Sequence, residues 1–216
     1  MELKEILKRC DHTLLDRCAT WENIKLVLDD AIKFGCASAC IPPAFVKRAS
    51  EYVDGKLAIC TVIGFPNGYS TTAVKAYETE QAIIEGADEI DMVINVGALK
   101  DKEYDVVRDD IKAVREACEK GKVTLKVIIE TCLLTDDEKV KACQLAMEAG
   151  ADFVKTSTGF STGGATVEDV ALMRQTVGDS ALVKASGGIR DKATAESMVA
   201  AGADRLGTSA TVNIVS

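Results

Sequence analysis

The sequence predicts an α/β protein of the (β/α)8 barrel class. Three observations carry that prediction. A helix-to-strand joint recurs along the chain: a helical pattern ends in glycine, a small residue follows, usually with an aspartate after it, and an apolar strand comes next. It is found at Phe34-Gly35-Cys36, Glu85-Gly86-Ala87-Asp88, Ala149-Gly150-Ala151-Asp152 and Ala201-Gly202-Ala203-Asp204. Glycine supplies the left-handed position after a helix, and repetition of one joint is what a repeating α/β architecture requires. Eight short strand patterns alternate with helices within 216 residues, near the lower size limit of such a barrel. No Gly-x-Gly-x-x-Gly follows the first strand, which leaves a doubly wound open sheet as the weaker alternative. No Pro/Ser-rich linker interrupts residues 1–216, so one domain is expected.

Taken in order, Glu2 to Arg9 reads as a short amphipathic helix and Cys10 to Leu14 as the first strand. Thr20 caps a helix from Trp21 to Phe34, with Asn23 at the third position of a capping box. Ser38 to Ile41 is the second strand, and Pro42-Pro43 opens a helix from Ala44 to Tyr52. Leu57 to Gly64 is the third strand, followed by a helix capped by Ser70, Thr71 or Thr72 and running to Glu85. Glu89 to Val96 is the fourth strand, Tyr104 to Lys120 a long helix, and Thr124 to Glu130 the fifth strand. Thr135 caps the helix to Ala149, and Phe153 to Thr156 is the sixth strand. Thr166-Val167-Glu168 opens a helix to Val177, Leu182 to Ala185 is the seventh strand, and Asp191 caps a helix to Ala201. Arg205 to Gly207 is the eighth strand, and Ser209 to Val215 a short last helix.

Composition narrows the function. The chain is 47% hydrophobic and 28% charged, with a formal net charge of -8. That balance argues against a nucleic-acid partner, since counterion release needs clustered Lys and Arg. No apolar run reaches a membrane span of roughly 18–20 residues. Met1-Glu2-Leu3-Lys4-Glu5 lacks the charged-then-apolar layout of a signal peptide, so a cytoplasmic protein is expected. The eight cysteines form no C-x-x-C pair and several lie in apolar runs, as in Ala58-Ile59-Cys60-Thr61-Val62, which reads as buried free thiols. A single histidine, His12, rules out a His-rich metal site; it is expected to pack or hydrogen-bond rather than react.

Active groups of a barrel sit at the carboxyl ends of its strands. Ionisable residues within or late in strands are Asp11, Asp91, Lys126, Glu130, Lys155 and Lys184. Lys155 and Lys184 occupy matched places on neighbouring strands. If Phe153 and Lys155, rather than Val154 and Thr156, face inward, the two ammonium groups approach each other; otherwise the lysines snorkel outward along the helices. A second ammonium and burial both disfavour protonation, and a lysine so perturbed is a usable amine nucleophile. Asp91, within a buried apolar strand, reads either as a proton shuttle beside the lysines or as a satisfied structural carboxylate. Asp11 either pairs with a lysine across the interior or caps its strand. Lys126 and Glu130 are an even number of positions apart, so they are expected on one face of the fifth strand.

Phosphate is the most legible ligand. Glycine-bearing turns follow strands six, seven and eight: Thr158-Gly159-Phe160 with Gly163-Gly164, then Ser186-Gly187-Gly188, then Gly207-Thr208-Ser209. Backbone N–H groups in such turns cradle phosphate oxygens, and barrels often use this region. The expected phosphate contacts are Thr158, Gly159, Gly187, Gly188, Gly207, Thr208 and Ser209.

Five segments in order, Asp11-His12-Thr13-Leu14-Leu15, Glu89-Ile90-Asp91-Met92-Val93, Phe153-Val154-Lys155-Thr156-Ser157-Thr158-Gly159-Phe160, Val183-Lys184-Ala185-Ser186-Gly187-Gly188-Ile189-Arg190 and Arg205-Leu206-Gly207-Thr208-Ser209, give the chain its likeness to known enzymes. Over essentially its whole length it resembles the deoxyribose-phosphate aldolases, class I Schiff-base aldolases. The resemblance implies an enzyme without metal or cofactor that reversibly cleaves 2-deoxy-D-ribose 5-phosphate to acetaldehyde and D-glyceraldehyde 3-phosphate. It implies Lys155 as the Schiff-base lysine, Lys184 as the lysine that perturbs it, Asp91 as proton donor or acceptor through a bound water, and Asp11 as a support for Lys184. It also implies a homodimer or larger homo-oligomer. As the chain stops at Ser216, the tail-borne proton-transfer tyrosine of some members is expected to be absent.

Overall fold

The computed structural model describes residues 1–215. In chain order the elements are α1 (Leu3–Leu7), β1 (Cys10–Thr13), α2 (Trp21–Phe34), β2 (Ser38–Cys40), α3 (Val46–Val53), β3 (Ala58–Ile63), α4 (Thr72–Ile84), β4 (Glu89–Val93), α5 (Val96–Lys100), α6 (Tyr104–Gly121), β5 (Thr124–Ile128), α7 (Asp136–Glu148), β6 (Phe153–Lys155), α8 (Val167–Val177), β7 (Leu182–Ser186), α9 (Lys192–Ala200), β8 (Arg205–Thr208) and α10 (Thr211–Val215). The eight strands pair in parallel and in sequence order, and β1 closes on β8. This is the (β/α)8 barrel that the alternating pattern predicts.

The repeated joint explains the lower rim. Gly35, Gly86, Gly150 and Gly202 all take positive φ, from 67° at Gly35 to 113° at Gly202. The aspartate that follows in three of them locks the strand it enters to the one before. Asp88 Oδ2 accepts the N–H of Ile59 at 2.8 Å, Asp152 Oδ2 that of Leu125 at 2.8 Å, and Asp204 Oδ2 that of Val183 at 2.9 Å. Each satisfies a strand-start donor that the ladder leaves unpaired. Helix starts are equally local in cause: Thr20 with Asn23 and Thr135 with Glu138 each form a reciprocal capping box.

Most element ends fall within one or two residues of the sequence expectation, and three departures matter for the frame of the site. β4 stops at Val93 rather than Val96, because Asn95 accepts the N–H of Ala98 (3.1 Å) and starts α5. Pro42-Pro43 opens a 3-10 turn over Pro43–Phe45 before α3 begins. β5 stops at Ile128, and Glu130 turns into left-handed backbone with φ 57°. That turn takes Glu130 out of the row of Lys126, so the two do not share a strand face.

Alternation divides the strands between two environments. Val154, Val183 and Leu206 point outward into the apolar layer between strands and helices. The interior holds a small separate apolar group, Cys40, Cys60 and Val62, against Leu15 and Phe65. Below it lie buried charged residues that an apolar barrel core would not tolerate singly.

Candidate active site

Three neighbouring strands bring lysines into the interior. Lys155 and Lys184 are register partners on β6 and β7, and Lys126 pairs with Asp91 across β5 and β4. Phe153 and Lys155 therefore face inward, one of the two arrangements the sequence allowed. The ammonium groups of Lys155 and Lys184 both donate to Asp91 Oδ2, each at 2.7 Å. Asp91 Oδ1 accepts from Lys126 at 2.9 Å and from the Cys60 thiol at 3.2 Å. Asp91 is thus a satisfied carboxylate that also touches both lysines.

The two lysines do not face each other bare, as the sequence reasoning supposed; a carboxylate oxygen sits between them. Its effect on Lys184 is large. Burial pushes that ammonium down, but Asp11 and Asp91 outweigh burial and hold its pKa above the ordinary lysine value. Asp11 lies 2.5 Å from Lys184 Nζ and also accepts from Arg205 at 2.6 Å and Ser38 at 2.8 Å. Burial would raise the carboxyls of Asp91 and Asp11; the surrounding cations reverse this and hold both below the usual carboxylate range. Burial likewise lowers Lys126, and its carboxylate neighbours, Asp91 foremost, raise it well above the ordinary lysine value.

Two members of this network were not picked out as site residues from sequence. Glu89 lies 2.5 Å from Lys126 and 3.1 Å from Arg205, and Arg205 links Glu89 to Asp11. Both stand at strand starts, and only barrel closure shows that they face the interior. Lys126, expected from spacing only to share a strand face with Glu130, lies at the centre. The network contains four cations (Lys126, Lys155, Lys184 and Arg205) and three carboxylates (Asp11, Glu89 and Asp91). His12 is buried outside the cavity, and burial lowers its pKa.

Above the network opens a cavity of about 560 Å³, and Lys155 is the lysine that reaches it. Lys184, Asp91 and Asp11 lie beneath its floor. All seven residues expected to contact phosphate line this cavity. Their roles differ. The N–H and hydroxyl of Thr158 both donate to Glu130, and the Thr208 hydroxyl donates to the carbonyl of Ile189 at 2.7 Å, so neither threonine hydroxyl keeps a free proton. Among the described residues the N–H groups of Gly159, Gly187, Gly188 and Ser209 have no protein acceptor. Gly207 supplies room: a Cβ there would lie 2.3 Å from Ser186 Oγ and 3.2 Å from Lys184 Cε. Arg17 and Arg190 also line the cavity and add positive charge at its mouth; neither had been picked out from the sequence. Phe65 and Phe160 meet edge to face at 5.3 Å beside it.

One group of possible metal ligands occurs among the described residues: Cys40, Cys60 and Asp91, with ligand atoms within 4.8 Å of one another. Both Asp91 oxygens already accept from ammonium groups, and a cation there would meet three positive charges. The donor set does not suit a cation.

A parallel barrel with a cavity at the carboxyl rim of its strands is the layout of a barrel enzyme, and comparison with known proteins makes the class specific. The DeoC/LacD family aldolase model matches residues 6–214. Deoxyribose-phosphate aldolases from Streptococcus pyogenes and Clostridioides difficile are 56% and 52% identical to the chain, over 100% and 99% of it and 96% of their own lengths. Among solved structures, the tetrameric deoxyribose phosphate aldolase from Aeropyrum pernix superposes with a TM-score of 0.93 at 30% identity, covering 99% of this chain and 91% of that one. An aldolase designated QR15 gives 0.93 at 40% identity, over 97% and 93% of the two chains. The chain belongs to the DeoC/LacD aldolase family. It is a lyase that breaks a carbon–carbon bond.

Proposed function

We propose that the enzyme reversibly cleaves 2-deoxy-D-ribose 5-phosphate to acetaldehyde and D-glyceraldehyde 3-phosphate through a Schiff base on Lys155. The observation that carries this reading is the placement of Lys155. It alone among the interior lysines lines the cavity, yet its amine touches the carboxylate shared with Lys184. Its contacts also set it apart from the other two lysines. Lys126 and Lys184 each have two carboxylates within 3 Å, whereas Lys155 has one.

In the proposed reaction the neutral amine of Lys155 attacks carbon one of the sugar aldehyde. The carbinolamine takes up one proton as its hydroxyl leaves as water, giving a protonated imine, an electron sink; the final hydrolysis returns that proton. The bond between carbons two and three breaks as the carbon-three hydroxyl proton leaves to Asp91 through a water. That releases glyceraldehyde 3-phosphate and leaves an enamine. Protonation of carbon two and hydrolysis release acetaldehyde and restore the amine. Lys184, held protonated by Asp11 and Asp91, keeps a positive charge beside the reacting nitrogen. Acid–base assistance of this kind contributes about 10²–10⁴-fold. The free N–H groups of Gly159, Gly187, Gly188 and Ser209, with Arg17 and Arg190, suit the substrate phosphate, whose binding orients the distant carbonyl.

Borohydride added with substrate tests the assignment. Reduction of the imine should attach the acetaldehyde carbons irreversibly to the peptide bearing Lys155. An adduct on Lys184, or none, would sink it. We further read residues 1–216 as one catalytic unit, acting in the cytoplasm as a homodimer or larger assembly. Exposed Tyr69, Val74, Tyr77 and Ile84, on and just before α4, offer an apolar face for self-association, and the Aeropyrum pernix relative is tetrameric. Sedimentation at micromolar concentration gives the assembly state. No helix among the described residues is long and apolar enough to cross a membrane, and the net charge of -8 disfavours a nucleic-acid partner.

A further inference from the structure

Glu130 is a buried carboxylate that the reaction above does not use. It lies just past β5 with φ 57° and ψ 65°, left-handed backbone that residues other than glycine seldom adopt. In extended backbone it would continue the inward row of Lys126 and Ile128. The turn instead carries its side chain to the loop after β6. Oε1 accepts the Thr158 N–H at 3.1 Å and Oε2 accepts the Thr158 hydroxyl at 2.5 Å. Thr158 Oγ1 in turn accepts the N–H of Phe160 at 3.1 Å. The residues on either side of Glu130 are tied to the same strand end: Ile129 N–H donates to the carbonyl of Lys155 at 3.0 Å, and Thr131 N–H to that of Thr156 at 2.9 Å. Ile129, Glu130 and Thr131 therefore hold Lys155, Thr158 and Thr156 respectively.

We propose that Glu130 is a positioning residue that sets the spacing between the Lys155 amine and the phosphate-binding turn at Gly159, and so determines the preference for a phosphorylated over a free deoxy sugar. The inference rests on the phosphosugar reading given above. A substrate held at both ends must match the distance from amine to phosphate site, and displacements of about 1 Å at such a site cost on the order of 10²-fold in rate. The carboxylate is also compatible with a nearby phosphate only because Thr158 presents two donors to it. Within Thr158-Gly159-Phe160, the Thr158 and Phe160 N–H groups are taken and the Gly159 N–H is left without a protein acceptor.

The test compares cleavage of 2-deoxyribose 5-phosphate and of 2-deoxyribose by the wild type, Glu130→Ala, Glu130→Gln and Thr158→Val, together with competitive inhibition by inorganic phosphate. For the phosphate ester, kcat/KM should fall at least tenfold in Glu130→Ala and in Thr158→Val, mainly through KM. Phosphate inhibition should weaken by a similar factor, while the fall on the free sugar stays under threefold. Glu130→Gln, which retains one acceptor oxygen, should be intermediate. Thr158→Val preserves side-chain volume and carries the test if Glu130→Ala does not fold. Equal losses on both sugars, or an unchanged KM and phosphate inhibition, would overturn the role of Glu130 alone. A wild type that shows no preference for the ester would overturn the phosphosugar reading as well.

Discussion

Replacing Asp91 by asparagine keeps the shape of the interior and removes one charge. The network then holds Lys126, Lys155, Lys184 and Arg205 against Asp11 and Glu89, two cations in excess. Breaking a buried pair by removing one partner costs about 3–5 kcal/mol, because a charge is left uncompensated. A lysine can limit that cost by folding in its neutral form. With an unfolded lysine pKa of about 10.4, deprotonation at pH 7 costs about 4.6 kcal/mol, and at pH 9 about 1.9 kcal/mol. The expected destabilisation is therefore about 3–5 kcal/mol at pH 7, shrinking by up to about 1.4 kcal/mol per pH unit above that. The sign follows from proton counting: the unfolded variant binds more protons than the folded one, so its stability rises with pH. Urea unfolding of wild type and variant at pH 7, 8 and 9, with equal m-values, measures the difference. At this chain length a loss of about 4 kcal/mol corresponds to roughly 8–16 °C in Tm. A difference below about 1 kcal/mol, or one independent of pH, would refute the account of Asp91 as the shared counter-ion.

The native carboxylates predict a second pH response. Asp91 and Asp11 are depressed in the folded state, so their contribution is present above the unfolded value of about 3.9 and is lost as pH falls through their folded values. Lys184 is raised, so its contribution is complete below about 10.4 and is lost as pH climbs through its folded value. Asp11, Asp91 and Lys184 should together add no slope to the urea midpoints between about pH 5 and 10; an Asp11- or Asp91-dependent loss of stability beginning near pH 6 would contradict it. Gly164→Ala should raise KM for phosphorylated substrate and destabilise by about 1–3 kcal/mol, since its Cβ would lie 2.4 Å from the carbonyl oxygen of Gly187 in the neighbouring turn. Kinetics with urea unfolding checks both parts. Burial pushes Cys118 and Cys143 up to about 12, whereas Cys18 is exposed. Alkylation of the folded protein at pH 8, read by peptide mass, should mark Cys18 early and Cys118 and Cys143 only after denaturation.

Much of this architecture is written locally. Capping boxes at Thr20 and Thr135, the Gly-Ala-Asp joints and the period-two strands depend on residues within a few positions of one another, so spacing alone exposes them. The same locality made Lys155 and Lys184 legible, because matched places on successive strands put them side by side. Local reasoning failed where one residue breaks a pattern. Asn95 stops β4 by capping α5, and Glu130 leaves the strand geometry that seemed to place it beside Lys126. Nothing in an apolar-polar pattern marks a left-handed residue that is not glycine.

The sequence by itself determined that eight strand–helix units repeat, which strand ends carry ionisable groups, and which turns are rich in glycine. Tertiary structure alone decided how those groups share their charges. Lys155 and Lys184 lie 64 and 93 positions from Asp91 yet meet on one of its oxygens, and Arg205 reaches Asp11 across 194 positions because β8 closes on β1. Coulomb interactions act over a few ångströms of space, whatever the separation along the chain. Which lysine is held between two carboxylates, and which reaches the cavity with one, therefore follows from closure of the barrel.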